Sequence, residues 1–150
     1  MEAQEMVALL RRVRHDFANH IQVIGGYLDM GQPESVKQYL TKVMEEINSE
    51  KIVFQSLSGE AALYFYEQLA MARDLGIILR YEDIDIASWE ILKSSNEPYR
   101  SILALSKETV GADEDVIIFL SLYEDRQGID IFLSNPRSEY DSRKIRVNKE

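Results

Sequence analysis

The 150-residue sequence contains no cysteine. Disulfide frameworks, thiolate zinc sites, iron–sulfur clusters and cysteine nucleophiles are therefore excluded. Histidine is nearly absent as well, since only His15 and His20 occur. Any histidine chemistry must consequently take place within this one short stretch of the chain.

Basic residues and long hydrophobic runs are also scarce. The 17 lysines and arginines stand against 26 aspartates and glutamates, which gives a formal net charge of −9. This acidity argues against nucleic-acid binding, because that function needs a basic surface. The longest apolar run, 116–120, is far shorter than the roughly 20 residues of a membrane span, and the N-terminus has no signal-peptide core. The sequence therefore predicts a cytoplasmic protein with no membrane span.

Helical periodicity dominates the first third of the chain. Apolar residues recur at steps of three and four in two segments, which predicts two amphipathic helices. Gly31 suits the position just past the first helix, and Pro33 suits the first position of the second. A connection this short makes the helices an antiparallel hairpin. The apolar positions are Met6, Leu10, Val13, Phe17, Ile21, Ile24 and Leu28, then Val36, Leu40, Val43, Ile47, Phe54 and Leu57.

A single hairpin of this size cannot bury both apolar stripes. Each helix packs against its partner and still leaves apolar surface exposed. Two hairpins side by side form a four-helix bundle, so burial predicts a homodimer. The alternative is that the hairpin folds back on the rest of its own chain.

The rest of the chain predicts a small α+β domain. We place the boundary at Ser58, which gives a hairpin domain of residues 1–58 and a second domain of residues 59–150. The first part has 6 basic and 8 acidic side chains and the second has 11 and 18, so the acidity is concentrated after Ser58. The predicted elements are helices at Ala61–Leu75 and from Pro98 to Val110, closed by Gly111, and strands at Ile77–Tyr81, Val116–Tyr123, Ile129–Leu133 and around Ile145 and Val147.

The two histidines fall on different sides of the first helix. At 100° per residue, His15 lies about 160° from the centre of the apolar stripe and His20 only about 60° from it. His15 is thus predicted to be exposed, and His20 to be a structural residue at a helix interface. Their rings point about 140° apart, which argues against a shared metal site.

An exposed histidine can accept a phosphoryl group. Its ordinary pKa near 6.5 leaves much of the ring neutral and nucleophilic at pH 7. Arg11, Arg12 and Arg14 could balance the transferred charge, and Asp16 could orient the ring of His15. The alternative from periodicity alone is a surface histidine within a solvated charge cluster.

The string from Arg14 to Ile24, R-H-D-F-A-N-H-I-Q-V-I, is followed by Gly26, Leu28 and Gly31. Together with the second-helix pattern, it resembles the sporulation initiation phosphotransferase (stage 0 sporulation protein B) family over about residues 9–57. The same helical histidine domain occurs in citrate- and dicarboxylate-type sensor histidine kinases. The resemblance implies that His15 is the phosphoryl acceptor, with Arg14, Asp16 and Asn19 as the other motif positions. It also implies a dimer of hairpins followed by a histidine-kinase ATPase-like domain.

This second domain departs from the kinase pattern. The helix that starts at Pro98 lacks the asparagine of an ATP site, and only Gly111 and Gly128 follow it. Without a glycine-rich loop, backbone amides cannot surround phosphates, which argues against ATP binding. The phosphoryl donor would then be another phosphoprotein.

The leading hypothesis is a phosphorelay histidine phosphotransferase. The resemblance implies that His15 takes a phosphoryl group from the aspartyl-phosphate of one response-regulator receiver domain and passes it to another. Mg²⁺ would then be bound by the partner receiver, and the chain would need no cofactor or metal of its own. We assign Arg11, Arg12 and Gln22 to partner binding. The alternatives are an ATP-dependent sensor histidine kinase, a non-catalytic dimeric module that binds a response regulator, and a plain helical dimer.

Overall fold

The computed structural model describes residues 2–57, 59–108, 116–135 and 138–149. Contacts divide the chain into two compact units, Met1–Asn48 and Ser49–Glu150. None of the helices in the described ranges combines the length and hydropathy that a membrane crossing requires. The elements in chain order are α1 (Ala3–Asp29), α2 (Pro33–Ser56), α3 (Gly59–Asp74), β1 (Ile77–Asp85), α4 (Glu90–Ser95), α5 (Tyr99–Glu108), β2 (Val116–Glu124), β3 (Gly128–Asn135) and β4 (Ser138–Asn148).

The predicted helical hairpin is confirmed. A capping box between Glu2 and Glu5 begins α1, where the two residues satisfy each other's backbone N–H groups. Gly31 follows the helix with a φ of +65°, a left-handed conformation that glycine adopts without strain. Pro33 is the first residue of α2, where its missing N–H is not needed.

The end of α2 belongs to the C-terminal unit by its contacts. Val53 is completely buried in the hydrophobic core of that unit. The contacts therefore divide the chain between Asn48 and Ser49, whereas the sequence places the boundary at Ser58, which lies outside the described residues. The difference arises because a continuous helix passes from one unit into the other.

A four-stranded mixed sheet organises the C-terminal unit, which confirms the α+β class. The strand order is β1-β2-β3-β4, with β1 parallel to β2 and the other neighbours antiparallel. The β2–β3 hairpin forms where the sequence predicts it. One face of the sheet buries a core against the helices, and the largest completely buried side chains there include Phe65, Leu92, Ile102, Leu120, Leu122, Ile129 and Ile131.

Strand β1 is longer than the prediction. It continues from Tyr81 to Asp85 after a register shift between Tyr81 and Asp83. The extra residue at the shift restores the alternation, so that Ile84 again faces the core and is 8% exposed. Strand β4 is also longer than predicted, since the sequence indicated a strand only around Ile145 and Val147. The predicted helix stop at Gly111 lies outside the described residues.

Candidate functional site

Helix α1 presents His15 to solvent. Its side chain is 75% exposed. Gln22, Arg11 and Asn19 are also exposed and lie within about 40° of His15 around the helix axis. Arg14 is exposed as well, about 100° to one side. These residues form a polar surface centred on the imidazole.

The polar contacts of the His15 ring involve Nδ1. The amide nitrogen Nδ2 of Asn19, one turn along the helix, lies 3.3 Å from this atom. The carboxylate oxygen Oδ1 of Asp16 lies 3.9 Å from the same atom. In the described part of the chain, Nε2 has no such neighbour. The ring is therefore held through one nitrogen while the other remains available for chemistry.

The three arginines near His15 differ in their surroundings. Arg11 and Arg14 are exposed, and no carboxylate of the described residues lies within ion-pair distance of either guanidinium. Arg12 is half-buried, and it shares one side of α1 with Asp16 and His20 because the three are spaced by four residues. The structure therefore groups Arg11 and Arg14, but not Arg12, with the exposed surface around His15.

His20 lies inside the hairpin and links its two helices. Its Nδ1 is 2.7 Å from the hydroxyl oxygen of Tyr39, and its Nε2 is 4.0 Å from Oε2 of Glu46. The side chains of His20 and Glu46 are only 22% and 9% exposed. Tyr39 and Glu46 were not predicted from the sequence to contact His20. The sequence does contain a signal for them. Tyr39 and Glu46 are two helical turns apart, on the same side of α2 as Val36 and Val43, which places two polar groups on the side that faces α1.

An apolar face runs along both helices of the hairpin. On α1, Phe17 and Leu28 are 64% and 60% exposed, whereas Ile24 is half-buried. The half-buried side of α1 includes Asp16 and His20, so the apolar stripe and the contact with α2 lie on different sides of the helix. The apolar face consists of Met6, Leu10, Val13, Phe17, Ile21 and Leu28 on α1, with Leu40, Met44 and Ile47 on α2.

Gly128 has a structural reason to be glycine. A Cβ at this position would collide with the carbonyl oxygen of Val147 and lie 2.9 Å from the Cα of Asn148. The Asp125 carboxylate accepts hydrogen bonds from the backbone N–H groups of Gln127 and Gly128 at 2.8 and 2.9 Å, which fixes the β2–β3 turn. Gly128 therefore allows the close approach of β4 to β3.

No metal site is evident within the ranges that the structure describes. Among these residues, no three histidine, aspartate or glutamate side chains lie close enough together to hold a metal ion. The chemistry that the site can offer rests on the imidazole of His15 and the charged groups around it.

Comparison with known proteins assigns the hairpin. Residues 1–56 match the family model described as the sensor kinase SpoOB-type, alpha-helical domain. The matched segment ends at Ser56, where α2 also ends, so it comprises both helices. A search of curated proteins finds no match. The N-terminal hairpin of this chain is therefore similar to the alpha-helical domain of SpoOB-type sensor kinases.

Proposed function

We propose that this chain is a phosphorelay histidine phosphotransferase in which His15 carries the phosphoryl group between two response-regulator receiver domains. The observation that carries the proposal is the environment of His15 on a helical domain of the sensor-kinase type. The ring is exposed, Nδ1 is next to Asn19 and Asp16, and Nε2 has no polar contact among the described residues. Because His20 is enclosed by Tyr39 and Glu46, only one of the two histidines offers an accessible nucleophile.

The proposed transfer is an in-line displacement at phosphorus. Nε2 of His15 forms a P–N bond as the P–O bond of the receiver's aspartyl-phosphate breaks, and the aspartate leaves as a carboxylate with the bonding electron pair. For Nε2 to attack, the proton of the neutral ring must reside on Nδ1. The Asp16 carboxylate can accept a hydrogen bond from this proton, and so can the Asn19 amide oxygen after a half-turn of the amide. The second transfer is the reverse of this step, onto another aspartate.

Charge stabilisation would come from both partners. The exposed Arg11 and Arg14 can approach the phosphoryl oxygens, for which a planar guanidinium offers paired donors. A receiver domain would contribute the Mg²⁺ bound in its acidic pocket, so that this chain mainly positions the nucleophile and balances charge. The exposed Gln22 lies in the surface that such a partner would contact.

A homodimer formed through the apolar face completes the proposal. Nine large hydrophobic side chains of the two helices are exposed on this face, and exposed apolar patches of this kind typically mark interfaces. Phe17, near its centre, lies about 160° around the helix from His15. A four-helix bundle of two hairpins would bury the apolar face and leave both His15 side chains accessible.

Transfer from a labelled receiver domain tests the function. A receiver domain charged with ³²P on its aspartate is mixed with the full chain, and the label is followed as an acid-labile, base-stable phosphohistidine. We expect labelling of the wild type and the His20→Ala variant and none of His15→Ala. Label on the His15→Ala variant would refute the assignment of the acceptor. Binding of the receiver without any label transfer would instead support a non-catalytic binding module.

Incubation with γ-labelled ATP alone distinguishes an ATP-dependent kinase from the proposed phosphotransferase. We expect no label, because the sequence lacks the glycine-rich ATP-binding loop. Autophosphorylation that disappears in His15→Ala would show that the protein is an ATP-dependent kinase and would overturn the proposed donor.

The dimer is tested by the mass in solution. Light scattering of the full chain should give twice the monomer mass of 17.3 kDa. Phe17→Glu should shift the mass towards the monomer, since it buries a charge in the apolar face, whereas the matched control Gln22→Glu should not. A monomeric wild type would refute the dimer.

A further inference from the structure

One face of the C-terminal sheet carries exposed aromatic side chains. Along β2 and β3, Leu122 and Leu133 are at most 1% exposed, whereas their neighbours Tyr123 and Phe132 are 40% and 41% exposed. Successive side chains of a strand point to opposite faces, so the second pair lies on the side away from the core. We call this side the open sheet face, and we define it by two rows of four residues in register across the strands.

The first row runs from an acidic edge to a basic edge. Asp83 of β1 pairs in register with Ser121 of β2, Ser121 with Phe132 of β3, and Phe132 with Lys144 of β4. The order across the sheet is therefore acidic, small, large and basic. If the row is laid against a copy of itself in the inverted strand order, each acidic residue is opposite a basic one and each large residue is opposite a small one.

The second row has the same polarity at its two ends. Asp85 pairs with Tyr123, Tyr123 with Asp130, and Asp130 with Arg146. In reverse, Asp85 is opposite Arg146, and the Tyr123 hydroxyl is opposite a carboxylate that can accept its hydrogen bond. Both rows are thus complementary to themselves when the order of the strands is inverted.

A twofold axis parallel to the strands performs this inversion. When two sheets face each other across such an axis, β1 of one copy lies over β4 of the other. We propose that the open sheet face binds the open sheet face of a second copy of this chain, with Asp83 over Lys144 and Phe132 over Ser121. Facing sheets pack about 10 Å apart with their strands within about 30°, which leaves room for large side chains opposite small ones. An interface of this kind is isologous, as twofold symmetry requires.

Contacts within the chain already order the side chains of the open sheet face in the absence of a partner. Nζ of Lys144 lies 5.8 Å from the ring centroid of Phe132, and the Phe132 and Tyr123 rings are 5.8 Å apart. The nearby Asp83 carboxylate raises the pKa of the Tyr123 hydroxyl. These contacts restrict the side chains before binding, so less conformational entropy is lost when the two faces meet.

The charged side chains at the β4 edge have ion-pair partners within the chain, whereas those at the β1 edge have no basic partner among the described residues. At the β4 edge, Arg146 donates to Asp130 at 3.0 Å and Nζ of Lys144 lies 3.8 Å from the same residue. At the β1 edge, no basic group of the described residues lies within ion-pair distance of Asp83 or Asp85. A second copy brings its β4 cations to these carboxylates. Arg146 is also bound to Asp125 at 2.7 Å, so Lys144, with its nearest carboxylate at 3.8 Å, is the cation that each copy offers to Asp83 of the other.

Crosslinking tests the predicted geometry directly, because the wild-type chain has no cysteine. Asp83 and Lys144 lie three strand spacings apart within one chain, about 14 Å. A bifunctional maleimide shorter than this should therefore join the double variant Asp83→Cys, Lys144→Cys into a covalent dimer. The two single variants should give little product, because two copies of the same position lie at opposite edges of the stacked sheets. Equal crosslinking of a single variant and the double variant, or no covalent dimer at all, would overturn the proposal.

Added substitutions distinguish the open sheet face from other contacts. Phe132→Glu in the double-cysteine variant should abolish crosslinking without lowering the melting temperature, since this side chain is on the surface. Phe17→Glu should leave crosslinking in place, because this substitution acts on the hairpin. Loss of crosslinking in the Phe17→Glu variant would show that the open sheet face does not bind a second copy by itself and would overturn the proposal. This outcome is independent of phosphoryl transfer, which the His15→Ala experiment measures separately.

A charge reversal provides the final control in the cysteine-free chain. At protein concentrations well above those of the light-scattering experiment, Phe17→Glu should retain a weak self-association that sedimentation detects. In this background Lys144→Asp should weaken the association, and Asp83→Lys together with Lys144→Asp should restore it. Restoration requires that the two positions face each other across the interface. If the double reversal associates no better than Lys144→Asp alone, the open sheet face has a different occupant and the proposal fails.

Discussion

Nδ1 of His20 lies 2.7 Å from the hydroxyl oxygen of Tyr39, so that a hydrogen bond joins the two helices of the hairpin. Glu46 approaches the other nitrogen of the same ring. His15, only five residues earlier, has a side chain that is 75% exposed. A helix turns by about 140° over five residues, which is enough to move a side chain from the hairpin interior to its surface. The same residue type thus serves structure at one position and is available for chemistry at the other.

Tyr39→Phe should destabilise the full chain without affecting phosphoryl transfer. The substitution removes the hydroxyl from His20 but keeps the aromatic ring, which contacts both His20 and Tyr27. We expect a loss of about 1 kcal/mol in the free energy of unfolding, as for one part-buried hydrogen bond. Urea denaturation measures this change. A transfer rate that falls at constant stability would show instead that Tyr39 acts at the reaction site.

Asn19→Ala should slow the labelling of His15. Its amide is the hydrogen-bonding group nearest to Nδ1, and the loss of one such contact, worth about 1 kcal/mol, corresponds to about fivefold in rate. Single-turnover transfer from a labelled receiver measures the effect. Gln38→Ala is the matched control, since Gln38 is exposed on α2 and lies outside the polar surface around His15, and its rate should change less than twofold. Equal rates for wild type and Asn19→Ala would remove Asn19 from the site.

Asp125→Asn should lower the melting temperature at pH 7 but not at low pH. Hydrogen bonds from the Arg146 guanidinium, at 2.7 and 2.8 Å, hold the pKa of Asp125 below its ordinary value. The charged carboxylate therefore stabilises the folded state above the unfolded-state pKa of about 3.9, and this stabilisation is lost as the pH falls towards the folded-state pKa. Thermal unfolding at several pH values should show the difference between variant and wild type shrinking below about pH 4. Asp29→Asn, at the exposed end of α1, is the control, and a difference independent of pH would contradict the prediction.

Glycine-to-alanine substitutions should have opposite effects in the two units. Gly128→Ala forces a Cβ against the backbone of Val147 and should destabilise the fold by about 1–3 kcal/mol. Gly26→Ala, on an exposed position of α1 with open space around it, should stabilise the chain by about 0.5–1 kcal/mol. Chemical denaturation of the two variants measures both changes. A neutral Gly128→Ala would show that β4 can move away from Gly128 without loss of stability.

Local sequence signals were sufficient for the hairpin. The turn at Gly31 and Pro33 and the helical spacing of the apolar residues are properties of neighbouring positions, so they can be read without knowledge of the fold. The same holds for the exposure of His15, which follows from its angle to the apolar stripe. The β2–β3 hairpin was predictable as well, because its turn lies between two runs of β-forming residues.

Residues distant in sequence decided the remaining features. The partners of His20 depend on the register between α1 and α2, which brings Tyr39 and Glu46 to one ring. The last turns of α2 join the C-terminal core because Val53 finds apolar neighbours there, and a periodic pattern does not say which core a helix end will enter. The extension of β1 to Asp85 depends on pairing with β2 across a register shift that has no local signal.

The sequence by itself determined the helical hairpin and the exposure of His15, since both follow from the period of a helix. Only the tertiary structure decided that His20 is enclosed, that Gly128 must lack a side chain, and that acidic and basic residues occupy opposite edges of one sheet face. These features arise from strand order and helix register, which bring together side chains from distant parts of the chain.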